Sequence, residues 1–125
     1  MSQHILLVED NPTNQQIAQE LLSDEGALVT IANHGLEAIE MVNRITDIDL
    51  ILMDLQMPVM DGLTATKQIR QMPEYSTLPI IAMTANVSVQ DKEMCLAAGM
   101  NAHVGKLFDI ESLIAVIVDL CKPSI

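Results

Sequence analysis

With 125 residues the chain is one domain by length, long enough to bury about two-thirds of the surface its unfolded form exposes. Half of the residues are apolar, yet there is one Tyr, one Phe and no Trp, so disorder is excluded and the core must be aliphatic, with nine Met as pliable filler. The formal charge of -11, with only six Lys and Arg, excludes a nucleic-acid surface, which needs clustered cations.

Short apolar runs then alternate with longer stretches of helical spacing. The run "ILLV" reads as a first strand, with no basic region before it, and no apolar run approaches the ~20 residues of a membrane span. Asn11-Pro12 supplies a helix cap followed by proline at the first helical position; Ile17 and Leu21, and Ala18 and Leu22, then recur four apart. After a second strand in "ALVTIA", the segment "HGLEAIEMVNRI" places Leu36, Ile39, Val42 and Ile45 on one stripe beside Glu37 and Glu40. "LILM" is a third strand, and Asp61-Gly62 starts a helix carrying Leu63, Thr66, Ile69 and Arg70.

A fourth strand lies in "LPIIAM", and the helix of "SVQDKEMCLAAGM" should stop at Gly99 as a left-handed cap. "AHVG" is the fifth strand. The last helix, Ile110 to Leu120, is more apolar than one buried stripe requires; core burial accounts for most of this and a partner or dimer face for the rest. Cys95 and Cys121 lack metal-ligand spacing and read as small buried hydrophobes or free thiols, as in a reducing cytosol.

Five strands, each followed by a helix, with nearly continuous apolar strands, predict an α/β parallel sheet covered on both faces. A closed barrel of eight such units needs about twice this length. The doubly wound open sheet places ligands outside the carboxyl ends of the strands, where the strand order reverses.

Those ends carry a pattern. "LLVED" finishes the first strand with Glu9 and Asp10, and "LILMD" finishes the third with Asp54. If the two strands are neighbours, three carboxylates share one cavity, where each like-charge pair at ~4 Å costs about 4 kcal/mol at an effective dielectric near 20. Such a group holds protons or a cation, and a few hard oxygens open to water suit Mg2+. Thr84 ends the fourth strand and Lys106 the fifth, adding a hydroxyl and an ammonium; with a nucleophilic carboxylate these make a phosphoryl-binding set. Taken singly, Asp10 or Asp61 reads equally well as a helix cap, and Lys106 as a solvated lysine. Four strand ends delivering complementary groups carry the argument together.

The motifs "LLVEDNPTNQ", "LILMDLQMPVMDG", "IIAMTAN" and "CLAAGMNAHVGK", with their spacing, resemble a response-regulator receiver domain of two-component signalling over the whole chain, 1–125, as a single domain. The wording is most similar to receivers of hybrid sensor histidine kinases. The switch-point rule is drawn partly from this family and adds no independent weight.

The resemblance implies a flavodoxin-like (βα)5 fold with strand order 2-1-3-4-5. It implies that Asp54 is the phosphoacceptor, and that Glu9, Asp10, Asp54 and the backbone carbonyl of Gln56 hold Mg2+. Lys106 would pair with a phosphoryl oxygen, Thr84 would bond another, and the Ala85 N–H would lie nearby. His103, three residues before Lys106 where an aromatic ring is common, would move with Thr84 as the switch. Pro58 turns the chain, Asp61 caps the next helix, and Met57 and Met60 pack. The implied partner is a histidine kinase or histidine phosphotransfer domain, met by the first helix with Ile17 and Leu21 near its exposed flank. The expected setting is cytoplasmic, including the cytosolic part of a membrane-anchored kinase, with no direct nucleic-acid or membrane contact.

One departure stands out: "GKLF" replaces the family's Lys-Pro. A cis bond before Leu107 costs about 2.5–4 kcal/mol, so a trans Lys106–Leu107 bond is expected, with Gly105 absorbing part of the change. Three other functions compete. A phosphatase of the haloacid dehalogenase type needs a second Asp two residues after the nucleophile, which "MDLQ" lacks. A flavin or nucleotide binder needs a Gly- or Ser-rich loop where "VEDNPTN" would repel phosphate. A degenerate receiver would bind partners without being phosphorylated.

Overall fold

Alternate residues of two central strands face two separate cores, and that alternation builds the molecule. A computed structural model describes residues 3–45, 47–55, 62–84, 89–105 and 110–120. Its strands are β1 (His4–Val8), β2 (Leu28–Ala32), β3 (Leu50–Asp54), β4 (Ile80–Thr84) and β5 (Ala102–Gly105). They alternate with α1 (Pro12–Asp24), α2 (Gly35–Arg44), α3 (Gly62–Arg70), α4 (Val89–Ala98) and α5 (Ile110–Leu120). The strands form one parallel sheet in the order β2-β1-β3-β4-β5, as the resemblance implied.

Every residue of β1 and β3 is buried. Register pairs Leu6 with Ile51 and Val8 with Met53, and these pack toward α2, α3 and α4. Ile5 with Leu50 and Leu7 with Leu52 point the other way, toward Ala18 and Leu22 of α1 and Leu113 and Ile117 of α5. Burying each such Leu or Ile contributes about 1.5–3 kcal/mol. The central strands therefore hold their own ends firmly.

The helix boundaries follow from local chemistry. Asn11 Oδ1 accepts from the N–H groups of Thr13 (2.9 Å) and Asn14 (3.2 Å), with Pro12 at the first turn, as expected. His34 caps α2, its Nδ1 accepting from Glu37 N–H at 3.2 Å. The expected stripe holds in part. Val42 is buried and Ile39 packs against the core beside Ala38, whereas Leu36 is 42 % exposed and Ile45 lies beyond the helix as its extended C-cap. Gly99 ends α4 with φ of 107°, the left-handed stop read from sequence. A 3-10 turn at Pro73–Tyr75, unforeseen, leads into β4. Among the described residues no helix is long and apolar enough to cross a membrane.

Candidate functional site

Because β1 and β3 are neighbours with Val8 opposite Met53, the residues that leave them, Glu9 and Asp54, emerge side by side. One carboxylate oxygen from each of Glu9, Asp10 and Asp54 lies within 4.8 Å of the others. Asp54 is fully buried and Glu9 is 2 % exposed, while Asp10 is exposed. The predicted cluster is thus assembled. At this spacing a like-charge pair costs about 3.5 kcal/mol at an effective dielectric near 20. The donors are all hard oxygens, two shielded and one facing water, which fits a small divalent cation that keeps part of its hydration shell.

The cluster is held from outside by amides. Asn14 Nδ2 donates to Glu9 Oε1 at 2.9 Å. Gln15 Nε2 donates both to the Glu9 carbonyl and to Asn33 Oδ1, the latter at 2.9 Å. Asn33 in turn donates through Nδ2 to the Glu37 carboxylate at 3.2 Å, joining the end of β2 to the first turn of α2. Glu9 N–H donates to Ala32 O at 3.1 Å. Sequence reasoning missed Asn14 and Gln15. The available signal was a pair of amide side chains in the first turn of a helix that directly follows two acids.

Asp54 is also fixed through its backbone. A Cβ on Gly62 would lie 2.2 Å from the Asp54 carbonyl oxygen, so α3 starts in direct backbone contact with the end of β3. Gly62 N–H donates to Leu55 O at 3.2 Å. Only a residue without a side chain permits that approach.

Thr84 closes β4 and stands in register with Gly105, the last residue of β5. Both strand ends therefore reach the same rim. Lys106, Gln56 and Ala85 lie outside the described residues, as do the Lys106–Leu107 bond, Met57, Pro58, Met60, Asp61 and Cys121. His103 is half-buried in β5 and lines a cavity of ≈ 330 Å³ with Cys95, Leu96, Asn101 and Ala102. Cys95 is buried, as read. Ile17 is 51 % exposed on α1; on α5, Leu113 and Ile117 are buried while Val118 is exposed.

A twisted parallel sheet with acids gathered at the carboxyl ends of β1 and β3 defines a class, and comparison with known proteins agrees. Residues 5–118 match the response regulator receiver domain model, and the chain belongs to that family, whose members serve two-component phosphorelays. Among curated relatives, hybrid signal transduction histidine kinase B of Dictyostelium discoideum is 43% identical over 82% of the chain. The signal transduction histidine-protein kinase BarA of Escherichia coli K12 is 38% identical over 87%. The chain spans only 6% and 12% of those two proteins. Among solved structures, the receiver domain of sensor histidine kinase PA1611 of Pseudomonas aeruginosa, with magnesium in its active-site cleft, superposes with a TM-score of 0.90 at 40% identity, covering 98% of this chain and 100% of that one. The receiver domain of Ssk1 of Saccharomyces cerevisiae, solved with the histidine phosphotransfer protein Ypd1, gives 0.87 at 31% identity, covering 95% of this chain and 88% of that one.

Proposed function

We propose that this receiver domain, spanning 1–125, accepts a phosphoryl group on Asp54 from a phosphohistidine on a histidine kinase or histidine phosphotransfer domain, and changes shape to control a partner. The observation that carries the reading is the convergence of Glu9, Asp10 and Asp54 oxygens within 4.8 Å at adjacent strand ends. Glu9, Asp10, Asp54 and the Gln56 carbonyl would hold Mg2+. Bound there, the ion supplies the positive charge that lets an anionic donor approach an anionic nucleophile.

The chain's own residues do the rest. Burial in a packed strand fixes the Asp54 carboxylate, so that its oxygen forms the new O–P bond while the donor's N–P bond breaks and the imidazole takes up a proton from solvent. Lys106 neutralises one phosphoryl oxygen; Thr84 and the Ala85 N–H bond others. Motion of Thr84 then frees space that His103 fills beside α4. The phosphotransfer complex of the yeast relative and the magnesium in the Pseudomonas relative support this reading. Kinship with hybrid kinases supports a cytosolic receiver within a longer protein.

Intact-mass measurement after incubation with Mg2+ and acetyl phosphate tests it. One added phosphate that disappears in Asp54→Asn is the expected result. Continuous phosphate release from many substrates would mark a phosphatase, and no adduct would mark a binding module that is not phosphorylated.

A further inference from the structure

We infer that Asn14 is a positioning residue that sets how tightly the acidic pocket holds its divalent cation. The inference rests on the cation reading proposed above and extends it to a residue outside the acidic set. Glu9 is 2 % exposed, and a carboxylate so placed is costly unless it is hydrogen-bonded. Asn14 Nδ2 supplies a bond to Oε1 at 2.9 Å.

The amide is delivered by a rigid helix end. Asn14's own N–H is tied to Asn11 Oδ1 at 3.2 Å, and Pro12 fixes the first turn of α1. The neighbouring Gln15 grips the Glu9 carbonyl, while Glu9 N–H is bound to Ala32 O. Backbone and side chain of Glu9 are therefore both held by groups outside the pocket. This matters because carboxylates within 4.8 Å repel one another, which favours their turning apart. A bond to Glu9 Oε1 opposes that turning and presents the ligand before any cation arrives, so less ordering is left for binding to impose. Residues that orient metal ligands in this way change affinity by about 10–100-fold when removed.

The bland alternative is that Asn14 only stabilises the start of α1. Mg2+ titration calorimetry of the whole chain separates the two, with Asn14→Ala and the similarly sized Asn14→Leu, alongside thermal melts in EDTA. Both variants should raise the Mg2+ Kd on the order of tenfold, with an EDTA melt lowered by no more than the one lost hydrogen bond. The Mg2+ concentration for half-maximal phosphorylation by acetyl phosphate should rise by the same factor, the maximal rate holding. Parent-like Kd values in both variants overturn the inference and leave the cation reading intact. A larger fall in EDTA melting that tracks the loss of affinity also overturns it, by showing a structural role. If the parent binds no Mg2+, both readings fall together.

Discussion

At the amino ends of the strands, His4 and Arg70 meet their complements. His4 Nδ1 faces Asp47 Oδ1 at 3.1 Å, its Nε2 lies 2.6 Å from the Thr30 hydroxyl, and its backbone N–H donates to Asp49 Oδ2 at 2.8 Å. Arg70 reaches from the end of α3 to donate to Gly99 O, Tyr75 O and Asn101 Oδ1, at 2.9, 2.8 and 2.9 Å. Partial burial pulls the Arg70 guanidinium below its ordinary range, yet it stays charged under all physiological conditions. At the carboxyl ends, by contrast, three acids crowd together. One end of the sheet serves stability, and the other gathers like charge that a divalent cation would offset.

The contrast can be tested by substitution at both ends. The largest effect is expected at Gly62→Ala, whose Cβ would meet the Asp54 carbonyl at 2.2 Å. Displacing backbone there should cost about 3 kcal/mol, read by urea unfolding. Opposite signs are expected for the next pair. Arg70→Ala removes three hydrogen bonds from a charged donor and should lower stability by about 2–3 kcal/mol without changing the Mg2+ Kd. Asp54→Asn, measured in EDTA, should raise stability by removing the repulsion between two buried carboxylates, Asp54 and Glu9. A destabilised Asp54→Asn would show that the acids are not under strain and would sink the comparison.

Mg2+ itself should sharpen the picture. At a hundred times its Kd it should stabilise the parent by about 2.7 kcal/mol in a thermal melt, and Asp54→Asn by less. The smallest expected effect is Asn11→Ala, about 1 kcal/mol from a lost helix cap. It should weaken Mg2+ binding as well, because Asn11 anchors the turn that carries Asn14.

The strands were readable because a parallel sheet covered on both faces demands continuous apolar runs, and "LILMD" ends in its acid without ambiguity. Asn11-Pro12 and Gly99 were readable because caps are local. Leu36 lies off the buried arc because α2 turns Ala38, Val42 and Ile39 toward the sheet, and which arc a helix buries is decided by what it packs on. In the sequence Arg70 is one more residue on a helix face, because its acceptors Gly99 and Asn101 lie 29 and 31 residues away. His4 was assigned nothing for the same reason: Thr30 and Asp47 become its neighbours only after the sheet forms. At the site, residue types and strand ends gave the acids, while the amides that orient Glu9 emerged only with the helix placed beside it.

The hydrogen bond from Gly62 N–H to Leu55 O closes the chain on itself across positions 56–61. The start of α3 and the end of β3 are thus joined by a bond that does not run along the intervening chain, so a displacement at Asp54 is carried directly to the helix that follows.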